Sequence, residues 1–424
     1  VIVGGRCESP AAIDSNQASA SKVNSMTSRT GDTASHGVSL QQVAPRIGAL
    51  PCGPRDAITD VAGVTVGHAT IANGPVQTGV TVVRPHGGNP FNDKVPAAGV
   101  VINGFGKSIG LVQVDELGVL DTPIALTNTF SVGTVATAQI RHCIAQEPET
   151  GRGLPTVNPL VFECNDGFLN DIQRLAVSEA DYVAAHDAAG VDVAQGAVGA
   201  GRGMSSFQLK GGIGTASRQA AVRTAVDKED GTRLGTGGDA GEDVTYTVGA
   251  LVLANFGKLE NLTVAGLHIG PAVAAQLAAR EAAPSSVRSV DATEPEKGSI
   301  IMLLATDAPL DARQLRRLAL RAGAGLARTG SVFGHGSGDI ALAFSTAYTV
   351  PHLPTRPMPA VAMLHESQID VLFQAAADST EQAILNALWS AEHVQGRDGH
   401  ARTAMADLIP DWAVFARQFR TQTP

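Results

Sequence analysis

The run Ile300-Ile301-Met302-Leu303-Leu304 is apolar at every position. A strand with one solvated face alternates apolar and polar residues; a strand without alternation is buried on both faces. It needs a layer above and a layer below, so the chain must fold as stacked sheets and helices. The residues before it sharpen the constraint. Residues 281–298 carry Pro284, Ser285, Ser286, Asp291, Glu294, Pro295, Glu296 and Lys297, the composition of a solvated linker. That linker ends at Gly298-Ser299, which delivers a serine to the first position of the most apolar strand in the protein. A side chain there is held on a rigid element at a sheet edge, where a reacting group gains from being fixed. The plain alternative is a turn before a strand.

Further strands are expected over 80–83, 99–102, 159–162 and 246–253, short apolar runs bounded by Gly and Pro. Helices are fewer. Ser178 is placed to cap a helix over 179–189 that ends at Gly190. Leu315, Leu318, Ala322 and Leu326 form a helical stripe between Asp311 and Arg328. Ser379 and Gln382 have the spacing of a capping box ahead of Ile384, Leu385, Leu388 and Trp389. Strands and helices mixed through the chain predict a layered α/β or α+β domain.

Composition excludes several classes. Only 17% of the 424 residues are charged, and 31 basic against 40 acidic residues leave a net charge of −9, against a nucleic-acid binder. Aromatics at 4% are too few for base-stacking platforms. No apolar run reaches the roughly 18 residues of a membrane span. Residues 1–44 are polar and aperiodic, and are read as a disordered extension without the apolar core of a secretory signal. Residues 227–243, charged and Gly-rich, are read as an insertion loop. Cys7, Cys52, Cys143 and Cys164 lie far apart, which predicts buried thiols rather than disulfides or a zinc site. There is no HExxH or Walker A pattern.

Three more stretches can carry chemistry. Gly334-His335-Gly336-Ser337-Gly338-Asp339 surrounds a Ser and an Asp with glycines that allow close approach to a reacting group; a Gly-rich turn is the alternative. Glu163-Cys164-Asn165-Asp166-Gly167-Phe168-Leu169-Asn170-Asp171 places three carboxylates and two amides in nine residues, either a cation or amine site or side chains bonding their own turn. Gly199-Ala200-Gly201-Arg202-Gly203 has GxGxG rather than GxGxxG spacing and opens no helix, so no dinucleotide site is expected.

These blocks, with Asn103-Gly104-Phe105-Gly106-Lys107, Leu126-Thr127-Asn128-Thr129-Phe130-Ser131-Val132-Gly133, Lys210 through Arg218, Ala254-Asn255-Phe256-Gly257 and Gly396-Arg397-Asp398-Gly399-His400, resemble the self-processing aminopeptidases of the DmpA type. This is the L-aminopeptidase/D-esterase family that includes the β-peptidyl aminopeptidases, and the resemblance runs from about Arg46 to Asp407. It implies a four-layered α-β-β-α sandwich resembling N-terminal nucleophile hydrolases but with different connectivity. It implies a single domain over 45–424, cut between Gly298 and Ser299 into chains 1–298 and 299–424. Ser299 is then the nucleophile, with Ser337 and Asp339 assisting it; relatives often carry Glu at the last position, one methylene longer. Asn255 would donate to the oxyanion, and Glu163 would bind the free amine of the substrate. Asn165 stands where some relatives place a Tyr hydroxyl in the oxyanion hole.

The implied activity is release of N-terminal α-L-, D- or β-amino acids from small peptides, amides or esters. No metal or organic cofactor is implied. The implied assembly is a tetramer of processed heterodimers, with no nucleic-acid or membrane partner. The expected location is cytoplasmic, with the periplasm left open. An acyltransferase of the ornithine acetyltransferase kind would use Thr where this chain has Ser299. A non-catalytic protein on the same fold would have no need of Ser299, Ser337, Asp339 and Asn255 together.

Overall fold

The computed structural model describes residues 44–226, 233–235, 243–281 and 298–422. In chain order its principal strands are β1 (Thr65–Asn73), β2 (Val76–Arg84), β3 (Asp93–Gly104), β4 (Ile124–Asn128), β5 (Leu160–Cys164), β6 (Gly212–Val226), β7 (Arg233–Gly235), β8 (Asp243–Asn255), β9 (Ser299–Thr306), β10 (Gly338–Ser345) and β11 (Val350–Pro351). Its principal helices are α1 (Val132–Gln146), α2 (Glu179–Asp187), α3 (Ala312–Arg328) and α4 (Asp370–Trp389).

Among the described residues the strands form two main sheets. The smaller has the order β1-β2-β4-β5, the larger β7-β6-β8-β9-β10-β3-β11. In the larger sheet β9 and β10 are parallel, and their other neighbours, β8 and β3, run antiparallel to them. A parallel pair needs a long crossover, and α3 supplies it between β9 and β10.

Three apolar clusters separate four layers. Val66, Val83, Leu126 and Phe162 of the smaller sheet meet Leu251, Leu253, Ile301, Leu303, Leu342 and Phe344 of the larger. The other face of β9, carrying Ile300, Met302 and Leu304, packs on Leu315, Leu318 and Leu326 of α3 and on Leu385 and Leu388 of α4. Val80, Val82, Ala125 and Val161 on the outer face of the smaller sheet pack on Val135 of α1 and on Tyr182 and Ala185 of α2. The order is therefore α-β-β-α, as expected. All eight residues of β9 are buried, which is what its unbroken apolar run demands.

Four of the five expected strands lie within β2, β3, β8 and β9, and the fifth, 159–162, overlaps β5, which begins one residue later at Leu160. Asp311 caps α3: its carboxylate accepts from the Gln314 N–H at 2.7 Å while the Gln314 side chain accepts from the Asp311 N–H. The helix beyond Ser178 ends at Asp187, and Gly190 instead bridges to Val66. The expected capping box at Ser379 and Gln382 is a correction, because both lie inside α4. Every residue of α4 from Ala375 to Trp389 is buried, and these polar side chains find partners there. The Ser379 hydroxyl donates to the Ala376 carbonyl, and the Gln382 amide pairs with Ile47 N–H and the Pro45 carbonyl.

The expected extension lies outside the described residues except for Ala44, which is buried. The expected loop at 227–243 also lies largely outside them. Its described parts, Arg233–Gly235 and Asp243, are β7, paired antiparallel to the end of β6, and the first residue of β8, rather than loop. Of 281–298, Glu281 ends a helix begun at Gly270, and Gly298 leads into β9. Cys143 and Cys164 are buried thiols, Cys52 is half-buried, and Cys7 lies outside the described residues. Among the described residues no helix is long and apolar enough to cross a membrane.

Candidate active site

The ends of three neighbouring strands meet at Ser299. In the antiparallel ladder with β8 its partner is Asn255, and in the parallel ladder with β10 its partner is Gly338. Ser337 and Asp339 flank Gly338. Two residues apart on an extended chain, they point the same way. The Ser337 hydroxyl donates to Asp339 Oδ1 at 2.5 Å, so the shorter Asp side chain spans the distance. Ser299, Ser337, Asp339 and Asn255 are all buried.

The Gly338 N–H has two acceptors. It lies 3.1 Å from Ser299 Oγ and 3.2 Å from the carbonyl oxygen of Gly298. One donor thus touches both the serine oxygen and the carbonyl of the peptide bond preceding that serine. The need for glycine at 298 is spatial. A Cβ there would stand 2.6 Å from the Asn255 carbonyl oxygen and from Phe256 Cα, and its φ is not in the left-handed region. At Gly338 a Cβ would crowd Ser299 Oγ and the Phe105 carbonyl at 3.0 Å.

Asn255 is clamped at both ends of its amide. Its Oδ1 accepts from the Ser205 N–H at 2.8 Å, and its Nδ2 donates to the Asn165 carbonyl at 3.0 Å. An amide nitrogen has two protons, so one remains for a ligand oxygen. Ser205 belongs to a hairpin whose other arm ends at Lys210. The buried Lys210 ammonium donates to the carbonyls of Gly201, Met204 and Gly211 at 2.7–2.9 Å, and burial pulls its pKa well below the usual lysine value.

Glu163 lies in β5 opposite Thr127 of β4. At the end of β4, Asn128 Oδ1 accepts from the N–H groups of Phe130 and Ser131 and so turns the chain into α1. That turn directs the Thr129 hydroxyl at Glu163 Oε2, while the Lys107 N–H donates to Oε1 at 2.7 Å. Each carboxylate oxygen keeps a further lone pair, so the buried Glu163 can still accept from a ligand ammonium. Gly106 lies between both halves of the site: a Cβ on it would come within contact range of Glu163 Oε1 and of Gly338 Cα.

The rest of the Glu163–Asp171 block mostly serves its own turn. Asn165 is exposed and its Oδ1 accepts from the Gly167 N–H; its backbone carbonyl, not its side chain, reaches Asn255. Asp166 is buried, and burial pushes its carboxyl up to about 7 against hydrogen bonds from Thr78 and Asn170. Cys164 faces the space between the sheets, where burial, and then Glu163 and Asp339, push its thiol well above the ordinary value. The Gly199–Gly201 segment is a 3-10 turn rather than the opening of a nucleotide-binding helix. Among the described residues no three His, Cys, Asp or Glu side chains are grouped to hold a metal ion.

The sequence marked the stretch 103–107 without giving its residues roles. The Asn103 amide donates to the carbonyls of Gly334, His335 and Ser337, holding the turn that presents Ser337 and Asp339. Asn103 stands opposite Asp339, beside a register shift in the β3–β10 ladder. Thr129 and Ser205 were equally unassigned. Their positions depend on pairings between distant segments, which no local spacing announces.

A model of peptidase family S58 matches residues 56–402 of the chain. The chain is 38% identical over 356 residues to beta-peptidyl aminopeptidase BapA of Sphingosinicella xenopeptidilytica, covering 81% of this chain and 83% of the relative. The solved structure of a Burkholderia sp. beta-aminopeptidase superposes with a TM-score of 0.69 at 39% identity, over 85% of this chain and 93% of that one. The L-aminopeptidase D-Ala-esterase/amidase from Ochrobactrum anthropi, described as a prototype for the serine aminopeptidases and a variant of the Ntn hydrolase fold, gives a TM-score of 0.71 at 32% identity, over 88% of this chain and 96% of that one.

Proposed function

The chain belongs to peptidase family S58, and from that premise we propose that it is an aminopeptidase that cuts itself before Ser299 and then uses this serine as its nucleophile. The observation that carries the reading is the Gly338 N–H, shared between Ser299 Oγ and the Gly298 carbonyl oxygen. Attack of Ser299 Oγ on the Gly298 carbonyl carbon develops negative charge on an oxygen that already has a donor. The Gly298–Ser299 C–N bond breaks, the hydroxyl proton passes to the departing amine, and an ester links the two segments. Water then attacks the ester, leaving a carboxylate at Gly298 and a free hydroxyl and α-amine at Ser299.

The same oxygen then takes an acyl group from the substrate. The leaving amine receives the proton, and water releases the acid. The Ser299 α-amine, with an unperturbed pKa near 8, suits the role of base, with the Ser337–Asp339 pair beside it. The free N–H of Asn255 would receive the oxyanion of this second reaction. Glu163, buried and held by Lys107 and Thr129, would pair with the substrate ammonium and so restrict the enzyme to free N-termini. Peptides, amides and esters of α- or β-amino acids are the proposed substrates, and a tetramer of processed heterodimers is the proposed assembly.

A denaturing gel of the purified protein tests the reading. Two bands, 1–298 and 299–424, are expected, and N-terminal sequencing of the smaller should begin Ser-Ile-Ile-Met-Leu-Leu. Ser299→Ala should give one full-length band without activity. A Ser299→Ala protein that still splits at this bond would end the proposal.

A further inference from the structure

Two glycines at the site are constrained by their neighbours. A Cβ at Gly298 would clash with backbone at 2.6 Å, and one at Gly338 would be crowded at 3.0 Å. Gly106 differs. Its φ is outside the left-handed region, and a Cβ on it would stand 3.5 Å from Glu163 Oε1 and 3.8 Å from both Gly338 Cα and Ile340 Cδ1. Those are ordinary van der Waals distances, so neither backbone conformation nor packing requires a glycine here.

The volume that this missing methyl would fill has a specific place. On one side it touches the Glu163 carboxylate; on the other it touches Gly338, whose N–H contacts Ser299 Oγ. An acyl group with its ammonium on Glu163 and its carbonyl at Ser299 must run past this point. We propose that Gly106 sets the length of acyl backbone the site accepts, the absent side chain leaving room for one backbone methylene more than an α-aminoacyl group has. Two bonds separate nitrogen from carbonyl carbon in an α-aminoacyl group and three in a β-aminoacyl group, each bond being about 1.5 Å long. The added methylene has nearly the volume of the methyl that Gly106 lacks. This inference rests on Glu163 as ammonium partner and Ser299 as nucleophile.

The test compares glycyl and β-alanyl p-nitroanilide, which differ by that one methylene, on the full-length protein and on Gly106→Ala. The variant should split on a denaturing gel and melt as wild type does, because its methyl meets no clash. Its kcat/KM for the β-alanyl substrate should fall tenfold or more relative to the glycyl substrate, the usual worth of a methylene in a filled pocket. An unchanged ratio overturns the inference and leaves the aminopeptidase reading standing. If wild type cleaves neither compound nor any other free-amine anilide, the aminopeptidase reading itself falls, and this inference with it. Should the variant fail to fold, wild type decides alone: β-alanyl kcat/KM within tenfold of glycyl supports the assignment, and a lower value overturns it.

Discussion

Ser299 and Asn255 are direct cross-strand partners, the last pair of the antiparallel ladder between β9 and β8. With the Gly298–Ser299 bond intact the Gly298 carbonyl has the Gly338 N–H, whereas among the described residues Asn255 leaves one amide proton unused. In the proposed mechanism the two acyl transfers therefore call on different donors. Asn255→Ala should still split into two bands, while its kcat falls by about 10²–10³, the usual loss for one oxyanion donor. A time course of splitting alongside kcat checks this; a variant that no longer splits would assign Asn255 to self-cleavage as well.

Glu163→Gln keeps the shape and both anchoring hydrogen-bond positions at Lys107 and Thr129 while removing the charge. It should process normally and lose turnover of free-amine substrates, with KM raised. Wild type should turn over N-acetylated substrates poorly. Equal rates on the free and acetylated forms of one anilide would show that no ammonium is recognised.

Ser337 and Asp339 form one hydrogen-bonded unit flanking Gly338, the ladder partner of the proposed nucleophile Ser299. Asp339→Asn should lower kcat more than it raises KM, the pattern of an interaction made mainly in the transition state. Ser337→Ala should slow both splitting and turnover. Each loss should be about 10²–10⁴-fold, as for a general acid–base contribution. Rates equal to wild type in both variants would leave the Ser299 α-amine as the base by itself.

Asp166 links pH to stability. Its carboxyl titrates near 7 in the folded protein against an ordinary value of 3.8, because burial disfavours the charged form. The folded state therefore holds a proton that the unfolded chain gives up. The resulting stabilisation is full below about pH 4, declines as pH rises, and is gone above about pH 7. At about 1.4 kcal/mol per pH unit, the decline attributable to this group is at most about 4 kcal/mol. Thermal melts from pH 4 to 8 should show wild type losing stability relative to Asp166→Asn across this window and running parallel above it. Parallel curves throughout would mean that Asp166 is ionised in the fold.

The parts of the fold that depend on local chemistry were legible in the chain. An apolar run without alternation must be buried on both faces, and β9 is. Asp311 followed by Gln314 starts a helix because each side chain satisfies the other's N–H. The same logic failed at Ser379 and Gln382. Capping residues start a helix only where the preceding backbone is free to leave it, and here buried partners keep the helix running from Asp370. The nine-residue acidic block was ambiguous for a related reason: Asn165 and Glu163 look alike in sequence, yet one bonds its own turn and the other is held by Lys107 and Thr129.

Sequence by itself determined that a serine stands at the head of the most buried strand, that a glycine precedes it, and that Glu163, Asn255, Ser337 and Asp339 lie in strand-end segments able to carry chemistry. Those are properties of neighbours along the chain, set by polarity and the lack of a side chain. Only the tertiary structure decided which strand ends meet. The register Asn255–Ser299–Gly338 fixes the neighbours of Ser299, since a slip by one residue would turn every side chain to the other face. The Asn103 amide, the Gly338 N–H and the space beside Gly106 gain meaning only there. A hydrogen bond or a gap between segments distant along the chain exists only once the strands are paired and the sheets are stacked.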